Sequence, residues 1–259
     1  MGWRMDFFDE ILTYTYLKSS SLSLLLDSMQ QQTPAITQKS GKQMMAEALT
    51  GRIRSDSSML RQGAKNATEA SNIAGIVANS SSAILTNLNQ MLALAQEVKA
   101  DSTKAAADAP KFTALAQGIT STIANSKYNN ISLLDKSGWT GDSRLTINGG
   151  GNSASLKIQV GYDNSTFTLN DMSYLNSLSS VDLSSPTLDL NALISNLSTN
   201  ITTATIIYNG NSALSTAYAS ESAFLVKQAD FLTKAAEDAM PSEEDPLLRD
   251  LGSIISTTS

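Results

Sequence analysis

The 259-residue chain has 41% hydrophobic residues but only 16% charged ones, and its net charge is −6. This acidic balance argues against binding to nucleic acids or anionic membrane surfaces, which both select patches of lysine and arginine. The absence of cysteine and histidine removes disulfides, thiolate chemistry and the commonest general base and metal ligand, so neither an enzyme nor a cofactor-binding protein is expected.

Residues 1–41 are predicted to form an N-terminal helical arm, because apolar residues recur at three- and four-residue steps between positions 6 and 30. Two interpretations remain open: this helix packs within its own fold, or it waits for a partner chain. Acidic residues near the start argue against a cleaved signal peptide, and no run of 18 apolar residues predicts a transmembrane helix. The positions assigned to subunit packing are Phe8, Ile11, Leu22, Leu26 and Met29.

A long helix is predicted from Lys42 to about Ala100, with apolar steps of three, four and seven residues that are typical of a coiled coil. The segment "ADSTKAAADAP" then interrupts the pattern, and a shorter helix is predicted from Phe112 to about Ser126. The apolar stripe of the long helix, whose first four members are further candidates for subunit packing, is Ile73, Val77, Ile84, Leu88, Met91, Ala95 and Val98.

Residues 136–186 are predicted to form a small outer region with an antiparallel β element. Three segments, "RLTIN", "SLKIQV" and "TFTLN", are separated by the turn-forming stretches "GGGN" and "GYDNS". In the second segment Leu156, Ile158 and Val160 alternate with polar residues, which is the period of a strand. The three glycines predict a turn rather than a phosphate-binding loop, because no Lys-Ser/Thr pair or helix follows them.

A second long helix is predicted from Leu188 to about Ala236, because repeat positions follow each other at alternating steps of four and three. At about 1.5 Å per residue it would span roughly 70 Å, whereas a compact globule of this size would be about 40 Å across. We therefore expect a mainly α, elongated bundle of antiparallel long helices. Residues 42–135 and 187–240 would form this coiled-coil-like rod, and the small β element would lie at one end. The repeat positions are Leu190, Ile194, Leu197, Ile201, Ala204, Tyr208, Asn211, Ser215, Tyr218, Ser222, Leu225, Ala229, Leu232 and Ala236.

Residues 241–259 are predicted to form an inner terminal domain together with the N-terminal arm. Ser242 is a candidate helix cap, followed by two glutamates in the first turn, where carboxylates favour the helix dipole. The carboxylates here and in "DFFDE" at 6–10 are interpreted as helix-start charges rather than catalytic pairs, because neither group has an obvious cleft around it. The apolar strip, also assigned to subunit packing, comprises Leu247, Leu248, Leu251 and Ile254.

Four segments, in the expected order, resemble conserved pieces of bacterial flagellins. "ASNIAGIVANSSSAILTNLNQMLALAQEV" at 70–98 resembles the N-terminal conserved helix of that family, and "ITSTIANSKYNNISLLD" at 119–135 resembles its helix ending in Phe/Tyr-Asn-Gly-x-x-Leu-Leu. "LKIQVGYDNSTFTLNDM" at 156–172 resembles its Ile-Gln-Val-Gly hairpin, and "LTKAAEDAM" at 232–240 falls where flagellins have an Asp-x-Asp-Met segment.

The resemblance implies a structural subunit of an extracellular flagellar or flagellin-like filament, which assembles with copies of itself through helical termini. It also implies export through the flagellar type III channel without a cleaved leader, and an export chaperone and hook-associated proteins as further partners. Small uncharged helix residues would then pack against copies of the same chain, because a head-to-tail contact that does not close into a ring propagates as a filament. A hook–filament junction protein and a non-polymerising helical adhesin or binding module, with 136–186 as its ligand surface, remain alternatives.

The sequence also departs from the flagellin pattern. The N-terminal Ile-Asn-Thr-Asn and Ser-Gly-Leu-Arg-Ile-Asn signals are missing, and the arm after Met240 has 19 residues, about half the usual length in the family. The segment that the animal innate-immune flagellin receptor reads in the family, Leu-Gln-Arg-x-Arg-Glu-Leu-Ala, is "LNQMLALA" here. Gln90, Leu92 and Ala93 replace two arginines and a glutamate, so we expect that this receptor does not sense the protein.

Overall fold

The computed structural model describes residues 41–160 and 163–238, with the backbone alone at 41–43, 163 and 164. Apart from Gly41, the predicted terminal arms lie outside the described residues, and so do the packing positions assigned to them. None of the described helices is both long and apolar enough to cross a bilayer.

The described part of the chain is mainly helical, and a long C-terminal helix packs on a long N-terminal one. Helix α1 spans Gly41–Ala100, α2 spans Ala105–Asn125 and α3 spans Leu190–Asp238. Both predicted long helices are confirmed to within a few residues. The repeat of α3 is confirmed as well, since every one of its predicted positions is buried or half-buried.

Contacts divide the chain into two compact units. Among the described residues, one contains 41–54 and 233–238, and the other is Ser55–Leu232. The second unit holds the whole sheet, α2 and most of the two long helices, so much of the predicted rod and the predicted outer region belong to one unit. The domain boundaries at 41, 135, 186 and 240 remain predictions.

The break after α1 lies where the sequence predicts it, but α2 begins seven residues earlier than expected. Asp101 ends the first helix and caps a short 3-10 turn, because its carboxylate accepts from the backbone N–H of Thr103 (3.0 Å). The predicted start at Phe112 is wrong because Ala105–Ala107 are strong helix formers. They extend the helix in front of Pro110, which lies inside it.

A three-stranded antiparallel sheet follows in the order β3-β4-β5 and confirms the predicted strands. Strand β3 spans Leu145–Ile147, β4 spans Ser153–Val160 and β5 spans Asp163–Asn170. The three glycines form the β3–β4 turn, in which Gly150 and Gly151 have φ of 92° and 72°. Glycine adopts such left-handed values without steric cost.

A two-stranded hairpin, β1 (Lys127–Tyr128) and β2 (Ile131–Ser132), was not predicted. Its turn residues Asn129 and Asn130 have φ of 46° and 65°. Asparagine tolerates this region better than other side chains, and a two-residue turn with both φ positive matches the twist of a hairpin. The consecutive residues Asn129 and Asn130 could have predicted this turn from the sequence.

The main hydrophobic core lies where α1, α2, the sheet and the first half of α3 meet. Its largest fully buried side chains include Trp139, Phe112 and Phe167, and the indole N–H of Trp139 donates to the carbonyl of Ser132 (2.8 Å). A second, smaller cluster contains Leu60, Ala64, Leu225 and Ala229. Around this second cluster, hydrogen bonds from serine hydroxyls also connect α1 to α3.

Candidate functional site

Four residues that the sequence assigned to subunit packing lie inside the chain's own core. Ile73, Val77, Ile84 and Leu88 are at most 3% exposed. The coiled-coil pattern of α1 therefore serves contacts within the chain, and these four side chains form no surface for another subunit. A subunit contact on the described residues has to use the opposite, exposed faces of the helices.

The exposed faces of the helices include a wide surface without charge. We call it the charge-free band and define it as residues 70–96 of α1, 112–125 of α2 and 190–220 of α3, none of which is Asp, Glu, Lys or Arg. Its exposed side chains are mainly amides, hydroxyls and small apolar groups, together with the larger Ile206 and Leu214. They include Ser82, Thr86, Asn89, Gln90 and Ala93 on α1 and Asn191, Asn196, Thr199, Thr202 and Ile206 on α3.

Large apolar side chains are exposed along one face of α3. Ile206, Phe224 and Phe231 are 68%, 50% and 69% exposed. They are separated by 18 and 7 residues, which are close to whole numbers of helical turns, so they share one face. The exposed residues between them on this face are Gly210, Ala213, Ala217 and Ser220.

Hydroxyl groups connect α1 to α3 along the stretch that also contains the second hydrophobic cluster. We call this contact the hydroxyl seam and define it as residues 57–75 of α1 against 211–229 of α3. Ser57 donates to the carbonyl of Ala229 (2.8 Å). Ser71 and Ser215 each donate to the carbonyl of the other (2.8 and 3.0 Å). The partner numbers fall along α3 as they rise along α1, so the helices are antiparallel.

A third crossing contact in the seam is shared between two hydroxyls. The carbonyl of Ala64 accepts from Ser222 on the other helix (2.9 Å) and from Thr68 on its own helix (3.0 Å). The two hydroxyl oxygens are themselves 2.8 Å apart. A short serine side chain reaches a carbonyl of the neighbouring helix only where the helices approach closely, which small residues permit. This part of the small-residue pattern is therefore used within the chain.

A buried carboxylate fixes the loop that carries Trp139. Asp171 accepts from the backbone N–H groups of Lys136 (3.3 Å) and Ser173 (2.9 Å) and pairs with the ammonium of Lys136 (3.1 Å). Burial alone would raise the pKa of Asp171, but these hydrogen bonds outweigh it and hold the pKa below its usual value. At the half-buried Asp142, hydrogen bonds from Arg144 lower the pKa to about 2.

A cleft of about 280 Å³ lies between α1, the β1–β2 hairpin and strand β4. Asn66 of α1 donates to the carbonyl of Gln159 at its edge (2.7 Å). Burial raises the pKa of the Tyr128 hydroxyl, and the negative charge of Glu69 raises it further. Polar side chains line the cleft over an apolar floor that includes Ile73. Within the described ranges, no group of three or more carboxylates is placed to hold a metal ion.

The segment that corresponds to the receptor-read stretch of flagellins lies on α1. Gln90 and Ala93 are exposed, whereas Leu92 is half-buried and packs against the core. The two exposed positions belong to the charge-free band, so this surface offers no guanidinium or carboxylate. The hydroxyl seam, by contrast, was not recognised from the sequence. The signal was serine at multiples of seven residues: Ser57 and Ser71 are 14 apart, and Ser215 and Ser222 are seven apart.

No protein-family model matches this sequence, and no curated protein matches it.

Proposed function

We propose that the chain is a structural subunit that assembles with copies of itself into an extracellular flagellar or flagellin-like filament. Four ordered segments that resemble flagellins support this proposal. The observation that carries it is the charge-free band, because it extends over exposed faces of all three helices. We also propose that the chain has no enzymatic activity.

Charge limits which surfaces of the chain can form a contact between copies. Copies with a net charge of −6 repel each other, and buried unpaired charges cost far more free energy than buried hydroxyl or amide groups. The cores of protein interfaces are accordingly depleted in charged residues. A surface made of hydroxyls, amides and small apolar groups meets this requirement, and the exposed Ile206 adds apolar area to it.

Isosteric substitutions test whether the charge-free band mediates assembly. Gln90→Glu with Asn196→Asp adds two charges to exposed positions of the band with little change in shape. We expect the critical concentration for filament formation, measured by sedimentation, to rise at least tenfold at low salt. The matched control is Gln62→Glu with Gln228→Glu, which adds the same charges where α1 and α3 are already charged. It should change the critical concentration less than twofold. Equal effects of both pairs would contradict a role of the band.

The proposed subunit is an elongated rod. Small-angle scattering of the soluble chain tests this part of the proposal through the maximum dimension. A value well above the roughly 40 Å of a compact chain of this length is expected. A value near 40 Å would exclude the rod.

A flagellin-like filament of this chain should escape the innate-immune flagellin receptor. Gln90 and Ala93 present no charge where the family presents an arginine and a glutamate, so charge-assisted hydrogen bonds are lost. In a reporter-cell assay we expect no response to the chain. The variant Gln90→Arg, Leu92→Arg, Ala93→Glu restores the family residues and should gain one. A flagellin-like response to the unmodified chain would contradict the hypothesis.

The cleft beside Tyr128 favours a second candidate function, a binding module. Its rim combines an aromatic ring, the amides of Asn66 and Gln159, and the cations Arg144 and Lys157, a combination of apolar and polar groups that is common in ligand sites. This function would leave the soluble chain monomeric, and the same sedimentation assay separates it from the filament.

A further inference from the structure

Two Asn-Gly pairs, Asn148–Gly149 and Asn209–Gly210, occur in the sequence and lie in opposite structural contexts. The first begins the glycine turn between β3 and β4, and the second lies inside α3. An Asn-Gly pair is well suited to ring closure, because no Cβ on the glycine keeps its backbone nitrogen away from the asparagine side chain. The two pairs therefore place the same chemical groups in two different backbones.

The backbone nitrogen of Gly149 is accessible, whereas that of Gly210 is not. Among the described residues no acceptor is recorded for the N–H of Gly149, and this glycine is exposed with open space around it. Gly210 lies inside a long helix, where each N–H donates to the carbonyl four residues earlier. Ring closure at Asn209 would break that bond and change the helical dihedral angles. Only the pair in the turn can react while the chain stays folded.

Two serines of β4 hold the side-chain amide of Asn148. The amide nitrogen donates to the hydroxyl of Ser153 (3.0 Å), and the amide oxygen accepts from the hydroxyl of Ser155 (2.9 Å). Both hydroxyls belong to the neighbouring strand, whereas the nitrogen of Gly149 directly follows the asparagine in the chain. The amide has to turn away from the serines before its carbon meets this nitrogen, so the two hydrogen bonds slow ring closure.

We propose that Asn148 is a site of covalent modification in the folded chain. The nitrogen of Gly149 loses its proton and forms a bond to the side-chain carbonyl carbon of Asn148. The bond from that carbon to the amide nitrogen breaks, and ammonia leaves with the proton. Water then opens the five-membered imide at either carbonyl and gives aspartate or isoaspartate, so water is the one co-reactant that the conversion consumes.

The modification changes the charge and the backbone of the β3–β4 turn. Either product adds a carboxylate, and isoaspartate also routes the main chain through the former side chain. The backbone of Asn148 holds the turn at present, because its N–H donates to the carbonyl of Ser153 (2.9 Å) and its carbonyl accepts from Gly151 (3.0 Å). Isoaspartate should therefore loosen this turn. The inference does not depend on filament assembly.

Incubation of the full chain at mildly alkaline pH, followed by peptide mass spectrometry, tests the proposal. The exchange of ammonia for water changes the peptide mass, and electron-transfer fragmentation separates isoaspartate from aspartate. In the folded chain Asn148 should convert at least about tenfold faster than Asn209, which needs local unfolding first. In denaturant both should convert at similar rates. The proposal is overturned if Asn209 converts as fast as Asn148 in the folded chain. It is also overturned if Asn148 stays intact there while the denatured chain converts.

Two variants and a control test the structural basis. Gly149→Ala fits the open space and should slow conversion of Asn148 about tenfold, because the new Cβ hinders the nitrogen. Ser155→Ala removes one hydrogen bond of the amide and should accelerate conversion about two- to tenfold, as expected for the loss of an ordinary hydrogen bond. Ser143→Ala changes an exposed serine just before β3 and should leave the rate unchanged.

The two variants contradict different parts of the proposal. If Gly149→Ala converted as fast as the unsubstituted chain, attack by this backbone nitrogen would be excluded. If Ser155→Ala converted no faster than Ser143→Ala, the serines would have no role in the rate.

Discussion

The same two helices are held together by different forces along their length. Toward the sheet, α1 and α3 contribute Ile84, Leu88 and Leu197 to a core that also contains Trp139 and Phe112. Along the hydroxyl seam, they meet through serines, alanines and one glycine around the smaller cluster of Leu60 and Leu225. A continuous heptad pattern therefore does not imply a uniform contact.

The two regions differ in free energy as well as in chemistry. Full burial of a leucine or phenylalanine contributes about 1.5–3 kcal/mol, whereas the net contribution of a typical hydrogen bond is about 0.5–1.5 kcal/mol. The core end can therefore define the fold, and the crossing hydrogen bonds of the seam can fix the register of the helices. The same alanines and serines that weaken the seam allow the helices to approach closely.

Truncation of a core side chain should have the largest effect. Phe112 is fully buried in the main core, and Phe112→Ala should lower the free energy of unfolding by about 3–5 kcal/mol. Denaturant unfolding followed by circular dichroism measures it. Ser222→Ala in the seam is the comparison and should cost no more than about 1 kcal/mol. Similar losses of unfolding free energy in the two variants would show that the main core and the hydroxyl seam contribute equally to stability.

Removal of the buried carboxylate should have the next largest effect. Asp171→Ala leaves the backbone N–H groups of Lys136 and Ser173 without their acceptor and should cost about 2–3 kcal/mol. Asp182→Ala, which removes an exposed carboxylate with a similar backbone contact at Ser184, is the control and should cost less than about 1 kcal/mol. If both variants lost the same free energy of unfolding, the contacts of Asp171 with the loop around Trp139 would have no special role in stability.

The loop should also weaken in acid. The pKa of Asp171 is lowered in the folded chain, so its stabilising contribution is complete above the unfolded value of about 3.9. It is lost as the pH falls through the folded value. Unfolding followed by tryptophan fluorescence should show stability falling below about pH 4, and Asp171→Asn should reduce that fall. If the variant lost as much stability in acid as the unmodified chain, the Asp171 carboxylate would not be the source of that loss.

Removal of a reciprocal hydroxyl pair should have the smallest effect. Ser71→Ala with Ser215→Ala deletes both donors together and leaves small side chains that still fit. Because no donor is left unpaired, the change in unfolding free energy should be about 1 kcal/mol or less. Ser71→Val is the contrasting variant, since extra volume in a close contact costs about 1–3 kcal/mol. If the double variant cost more than the valine, the hydroxyls would be the main source of seam stability.

Periodicity predicted much of the fold. The steps of α3, the alternation around Ile158 and the turn at the three glycines were sufficient because each pattern reflects one local geometry. The start of α2 was missed because the whole segment "ADSTKAAADAP" was read as a break, whereas its alanines favour helix. The β1–β2 hairpin was missed because each of its strands has only two residues, too few for a period to be visible.

The candidate site was predicted less well, for a physical reason. Apolar spacing identifies which side chains are buried, but it does not show whether the neighbour is the same chain or a copy. Ile84 and Leu88 were assigned to subunit packing for that reason, and the structure buries them within the chain. The charge-free band could have been read directly from the sequence, but its exposure could not.

Negative-stain electron microscopy of the purified chain directly tests the claim that the chain assembles with copies of itself. We predict filaments from the full chain above a critical concentration. We also predict their loss when residues 241–259, whose apolar strip was assigned to subunit packing, are removed. Monomers at all concentrations and salt conditions tested, from a chain that is folded by circular dichroism, would contradict the claim. Such a result would instead favour the junction or binding-module alternatives.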